Sequence, residues 1–348
     1  MKDLPNLDFI RAVAVLSVVI DHLLLSYKIM WIGPWEVRWI GGAGVCIFFV
    51  HTALVLMWSL ERKPHTLDFY IRRIFRIYPL ALLAFAATVA FHAPVNGPPN
   101  HLFVYLPPHG LSDIVSAATL TPNLFPHSYL PEGVMWSLPF EVQMYLALPV
   151  VFFFVRRNFQ LWPLLVFWSF IVLVTRNLFP SDEPNFFLCI PYFLPGIMAY
   201  IAFGRRKPSL PSWILPIALL CMLAAFVLRP SWHTADLLCL AVGLGLPSFH
   251  QITAPWLVRA SHQVAKYSYG VYLAHPFALA VGVYLMPHRA LALQLTVTLT
   301  LVVVLPVAAY HLLEHPMIRL GSRLANRAEK RFEQHQLEQF RIPVGEIR

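Results

Sequence analysis

The chain reads as an all-α, polytopic membrane bundle of about ten transmembrane helices with both termini cytosolic. Three observations predict this. Of 348 residues, 58% are hydrophobic and 12% are charged, with a mean hydropathy of +0.63; these values exclude an ordinary soluble domain. Ten apolar stretches are of membrane-spanning length. Placing the N-terminus in the cytosol puts 20 of the 26 Lys and Arg on the cytosolic side and five on the other, with Arg11 inside the first span. The alternation obeys the positive-inside rule.

In order, the stretches cover 9–27, 40–59, 75–92, 135–155, 160–179, 186–203, 212–229, 235–250, 267–286 and 290–312. The third and eighth are short for the roughly 20 residues a tilted span requires. The N-terminus lacks a short apolar core with a small-residue cleavage site, so the first stretch is expected to remain as a span. Cys46, Cys189, Cys221 and Cys239 fall in apolar stretches without CxxC spacing, which speaks against a disulfide framework or a zinc site. The longest loop, 93–134, has no Lys or Arg and many Pro, with His101, His109 and His127 among several aromatics. It cannot form a long helix and reads either as a lid over an acceptor site or as an irregular cap. Residues 1–316 form the membrane domain. Residues 317–348 form a basic cytosolic tail, read as a surface helix followed by disorder. The net charge of +9 is explained by these loops beside anionic lipid, and no soluble basic module for nucleic acid is present. No fixed-period internal repeat is visible, which leans against an inverted-repeat transporter.

Candidate site residues come from ionisable groups at membrane depth, where charge is costly and is retained for function. The first stretch, DFIRAVAVLSVVIDH, carries Asp8, Arg11, Asp21 and His22. Arg11 and His22 are eleven residues apart, which returns to within about 20° of one helix face roughly 16 Å further on. A fixed cation near one membrane surface thus shares a face with a titratable base well inside. In YIRRIFRIYP, Arg73 and Arg76 are i,i+3 neighbours. Guanidinium forks bind phosphate oxygens, so the pair suits a coenzyme A thioester, although a topology-setting cluster would look the same. Glu141, in MWSLPFEVQMYLALP, is expected to meet His22 in the outer third of the membrane and orient it for general-base work. His275, followed by Pro276, reads as a second catalytic histidine or as a structural one. His51 reads as packing, and the Glu314–Pro316 segment as the cytosolic end of the last span. There is no HExxH, GxSxG or Gly-rich phosphate loop, and no metal is expected.

These stretches together resemble the membrane acyltransferase family 3, in which an Arg and a His are separated by ten residues in the first span. GVCIFFVHTALVLMWSLER, RRIFRIYP, WSLPFEVQMYLALP and YSYGVYLAHP are similar to its later motifs, in the same order and over nearly the whole chain. The resemblance implies a ten-span O-acyltransferase of the bacterial inner membrane. It implies transfer of an acyl group, commonly acetyl, from cytosolic acyl-CoA to a hydroxyl of a cell-surface carbohydrate or its lipid-linked precursor. Carried over by position, Arg11 and His22 are the essential pair, Arg73 and Arg76 the donor-binding RxxR, and Glu141 the acidic residue. Cys46 and His51-Thr52 depart from the family's acidic residue and Ser-Gly in the second span. The rival reading of the same charges is a proton relay in a transporter or flippase.

Overall fold

The computed structural model describes residues 4–95, 103–124, 132–156, 159–178 and 186–339. Helix α1 (Pro5–Ser26) starts with Pro5, whose missing N–H falls where no intrahelical partner exists, and with Asp8 at the positive end of the helix dipole. A two-stranded hairpin, β1 (Trp31–Ile32) and β2 (Trp35–Glu36), turns through Gly33 at φ +60° and leads into α2 (Arg38–Arg62). Then follow α3 (Thr66–Ala90), the short α4 (Leu111–Thr119), α5 (Leu138–Phe154), α6 (Leu161–Leu178), α7 (Phe186–Arg205), α8 (Ile214–Leu228) and α9 (Trp232–Gly245). Helix α10 (Pro255–Leu279) runs into a π-helical turn, Ala280–Tyr284. Helix α11 (Leu291–Ala309) runs through a second, Tyr310–Glu314, into α12 (His315–Gln339).

Each of the ten apolar stretches lies on one of α1–α3 or α5–α11. Among the described residues, seven helices are long and apolar enough to cross a membrane, as a polytopic helical membrane protein requires. Helix α2 is the hub and packs against α1, α5, α7, α8 and α9. Its residues from Val45 to Leu60 are almost all buried, which is why its apolar pattern runs all round the helix. Small residues let its neighbours approach closely. A Cβ on Gly196 of α7 would overlap the carbonyl oxygen of Val50 and come within 2.7 Å of the Ala53 Cβ. Gly196→Ala is therefore expected to destabilise the bundle by about 1–3 kcal/mol. Thermal unfolding of the detergent-solubilised variant, with a lowered midpoint, is the check.

Two elements differ from expectation. Helix α3 starts at Thr66, nine residues before the apolar stretch, because Asp68 in its first turn pairs with Arg72 at 2.8 Å and α12 covers this turn. Arg73 and Arg76 consequently sit within a continuous helix. The tail helix is docked along one face: Arg72 donates to Ser322 at 2.9 Å and Asn326 at 2.7 Å, and Lys63 pairs with Glu329 at 3.0 Å. Its other face exposes Arg319, Arg323, Arg327, Lys330 and Arg331. The disorder expected of the extreme C-terminus falls on 340–348, outside the described residues. In the 93–134 loop, α4 is the nine-residue helix that the prolines leave room for; His101 and His127 lie outside the described residues.

A candidate active site along the bundle axis

Helices α1, α2, α3, α5 and α10 hold the candidate residues at two levels. At the first level are Arg11, Arg73, Arg76 and Glu141. Arg11 Nε donates to Ser268 Oγ on α10 at 2.6 Å, and its guanidinium lies 5.8 Å from the Phe48 ring. Arg73 lies 5.7 Å from the Phe69 ring and its Nε is buried without a hydrogen-bond partner. Among the described residues neither Arg73 nor Arg76 forms an ion pair, whereas Arg72 is engaged by Asp68. Glu141, 7% exposed, accepts a hydrogen bond from the Tyr145 hydroxyl one turn on. The charges of Arg11, Arg73 and Arg76 all act on it. Tyr269 donates to the Ile77 carbonyl at 2.7 Å, fixing α10 beside Arg76.

Glu314 belongs here as well. It is 1% exposed, neither carboxylate oxygen has a hydrogen-bond partner, and Arg76 and Arg11 act on its charge. The π turn at Tyr310–Glu314 rotates it into the bundle instead of leaving it at a helix end. His51 stacks on Phe48 and lies within the field of Arg11 and Arg76. Three guanidiniums thus face two carboxylates, so with both ionised this level retains a surplus positive charge suited to an anion.

The second level holds His22 and His275. Their rings stack, with centroids 5.0 Å apart, and His22 Nδ1 lies 2.7 Å from His275 Nε2. His275 is fully buried, and its Nδ1 lies 2.9 Å from the Val271 carbonyl oxygen. A carbonyl only accepts, so His275 Nδ1 carries the hydrogen. In a neutral ring its Nε2 then accepts, and His22 Nδ1 must donate. That leaves His22 Nε2 with a free lone pair on a side chain that is 24% exposed. His275 does for His22 what a carboxylate does in a catalytic triad: it holds the tautomer. Tyr272, one turn before, packs its ring 6.3 Å from His275 and donates to the Val134 carbonyl, with Ser137 Oγ at 2.9 Å.

Glu141 therefore does not orient His22; among the described residues its hydrogen bond is to Tyr145, at the arginine level. The 3₁₀ turn Gly133–Ser137 explains the difference. Val134, Met135, Ser137 and Leu138 are all buried, so α5 begins already inside the bundle and Glu141 lies deeper than its position in the helix suggests. Just ahead of that turn, burial alone pushes the Glu132 carboxyl well above the usual carboxylate range.

A small cavity of about 20 Å³ lies beside both levels. Ser268, which holds Arg11, and Glu141 line one part of it, and Tyr272 and Ser137, beside His275, another. Its wall includes Ala14, Val15, Val18, Gly44 and Val45. At Gly44 a Cβ would overlap the Ala14 carbonyl oxygen. No group of three or more His, Cys, Asp or Glu side chains suited to a metal occurs among the described residues.

This arrangement of buried cations and free imidazole lies inside a chain that matches known acyltransferases. The family described as an acyltransferase domain, acyltransferase 3, matches residues 4–311. Nodulation protein 10 of Rhizobium leguminosarum bv. viciae is 25% identical over 312 residues, 78% of this chain and 81% of that protein. Acyltransferase MdmB of Streptomyces mycarofaciens is 28% identical over 167 residues, 44% of this chain and 40% of that one. O-acetyltransferase OatA of Staphylococcus aureus is 22% identical over 305 residues, which are 81% of this chain and 45% of OatA; the shared region is thus less than half of OatA. No solved structure matches. With the match running from α1 through the last apolar helix and taking in both levels of the site apart from Glu314, the chain belongs to the acyltransferase 3 family and is a multi-pass membrane O-acyltransferase.

Proposed function

We propose that the protein transfers an acyl group, acetyl in the simplest case, from cytosolic acyl-CoA to a hydroxyl of a carbohydrate bound for the cell surface, or of its lipid-linked precursor. It works from a bacterial inner membrane, with ten spans and both termini cytosolic; the Lys and Arg distribution supports that orientation. The observation that carries the reading is one bundle interior in which Arg73 and Arg76 form no ion pair among the described residues and His22 Nε2 keeps a free lone pair. It puts cations suited to the donor's phosphates and a base suited to the acceptor hydroxyl in one set of packed helices.

Arg73 and Arg76 hold the donor's phosphates through their guanidinium donors, with Arg11 at the same level. His22 Nε2 removes the proton from the acceptor hydroxyl as its oxygen attacks the thioester carbonyl carbon. The tetrahedral intermediate collapses, the C–S bond breaks, the ester forms, and His22 returns the proton to the departing CoA thiolate. His275 keeps Nε2 the reactive nitrogen throughout. The family's OatA, an O-acetyltransferase by name, supports acetyl as the transferred group.

Purified protein in lipid nanodiscs, incubated with acetyl-labelled acetyl-CoA and a bacterial glycolipid extract, is expected to release free CoA and to produce a labelled, alkali-labile ester. Movement of a sugar across the bilayer without CoA release would refute the reading and favour a transporter.

A further inference from the structure

One carboxylate next to the histidines has no part in the scheme above. Asp21 is 5% exposed, and its Oδ1 is buried without a hydrogen-bond partner. Its Oδ2 lies 3.9 Å from His22 Nε2, the nitrogen left with its lone pair. Room for this carboxylate is provided by Gly41 on α2, where a Cβ would overlap Oδ2 and come within 2.9 Å of Asp21 Cγ. Arg38 acts on the charge of Asp21 from the start of α2 but forms its ion pair with Glu36, at 2.7 Å. A buried carboxylate oxygen that lacks a donor is destabilising. Asp21 Oδ1 has no donor, and among the described residues Oδ2, the oxygen that faces the reactive nitrogen, makes no hydrogen bond either; a carboxylate so placed fits a donor that exists during only part of the cycle.

We propose that Asp21 is the charge partner of His22, and that its Oδ2 accepts the Nε2–H that His22 gains on taking the hydroxyl proton. The proposal rests on the general-base reading of His22. With His22 neutral and Asp21 ionised, two acceptors face each other across 3.9 Å and no bond forms. Once Nε2 is protonated the same pair becomes a charge-assisted N–H···O contact, reached by an approach of about 1 Å. Because that attraction exists only after proton transfer begins, it lowers the transition state more than the resting state. The proton passes from the acceptor hydroxyl to Nε2 and then to the CoA thiolate, and Asp21 takes no proton in this sequence. Asp21 is a positioning residue, acting through His22. The other groups facing His22 are His275, backed by Tyr272, from α10, and Arg38 from α2 by way of Asp21.

The test measures His22 itself and needs no acceptor. Native membranes holding the full chain are treated with diethyl pyrocarbonate, which modifies neutral imidazole, over a pH series, and the His22 peptide is quantified by mass spectrometry. In Asp21→Asn the pH of half-maximal His22 labelling is expected to fall by about one unit or more, since an opposite charge this close shifts a titration by that much. The limiting rate at high pH stays near wild type. Asp21→Ser should shift it in the same direction, which guards against a defect peculiar to one variant. An unmoved half-maximal pH in both variants overturns the proposal, and so does a changed limiting rate alone, the mark of a packing role. Failure of the general-base reading would appear elsewhere, as acyl transfer retained in His22→Ala.

Discussion

His22→Ala is expected to lower acyl transfer by about 10²–10⁴-fold, the range by which a positioned general base accelerates such a step. The protein should still insert and elute as wild type, because His22 is partly exposed and, among the described residues, its hydrogen bond is to His275 alone. Donor binding should be unchanged, since the arginines lie at the other level of the bundle. His275→Ala should act in the same direction with a smaller loss. It removes the acceptor of the His22 Nδ1 hydrogen and frees the ring to rotate and to exchange tautomers, but leaves a nitrogen base in place. His275→Gln, which can still offer an oxygen acceptor, should recover part of that loss. Steady-state transfer of labelled acetyl groups, measured with saturating donor, reads all three variants. Equal activity of His22→Ala and wild type would remove His22 from the chemistry.

The second large effect is expected at the donor site. Replacing both Arg73 and Arg76 by Ala should weaken acetyl-CoA binding by about 10²–10⁴-fold. Each removes charge-assisted hydrogen bonds worth roughly 1.5–3 kcal/mol, and about 1.4 kcal/mol is tenfold in affinity. The two guanidiniums are suited to this because, among the described residues, neither forms an ion pair with a carboxylate, in contrast to Arg72, which is held by Asp68 and Asn326. Arg72→Ala should therefore leave donor affinity close to wild type while loosening α12 from α3. Lys at 73 and 76 keeps the charge and loses the planar fork, so an intermediate affinity is expected. Equilibrium binding of labelled acetyl-CoA to the purified variants separates these cases. Wild-type affinity in the double Ala variant would place the donor phosphates elsewhere.

Much of the architecture was legible in the sequence because a bilayer imposes simple rules. A span must be long and apolar, and its flanking charges follow the positive-inside bias, so the ten stretches matched helices and the membrane class followed from composition. The same rules exposed the site's ionisable members: Arg11, His22, Glu141 and His275 stand out as charged or titratable groups in apolar runs. Periodicity failed where the backbone leaves the α-helical repeat. Glu314 looked like a cytosolic helix end, yet the π turn at Tyr310–Glu314 carries it into the bundle beside Arg11 and Arg76. Glu141 looked like an outer-third residue, yet the buried 3₁₀ turn before α5 sets it at the arginine level. Ser268, Tyr145 and Tyr269 gave no signal, since a neutral hydroxyl in an apolar helix is common and carries no charge to mark it.

By itself the sequence determined that this chain lives in a bilayer, which of its helices carry charge, and that Arg11 and His22 share a face of α1, since each of these depends on local spacing and on transfer from water to lipid. Which groups pair was decided only by the tertiary structure. His22 and His275 are 253 residues apart, and it is the packing of α1 against α10 that presents one imidazole to the other and leaves Nε2 free. Glu141 is turned toward the arginines by the packing of α5 against α2 and α3. Partner choice across helices depends on depth, rotation and close approach at glycines, and none of these is contained in the hydrophobic period of a single span.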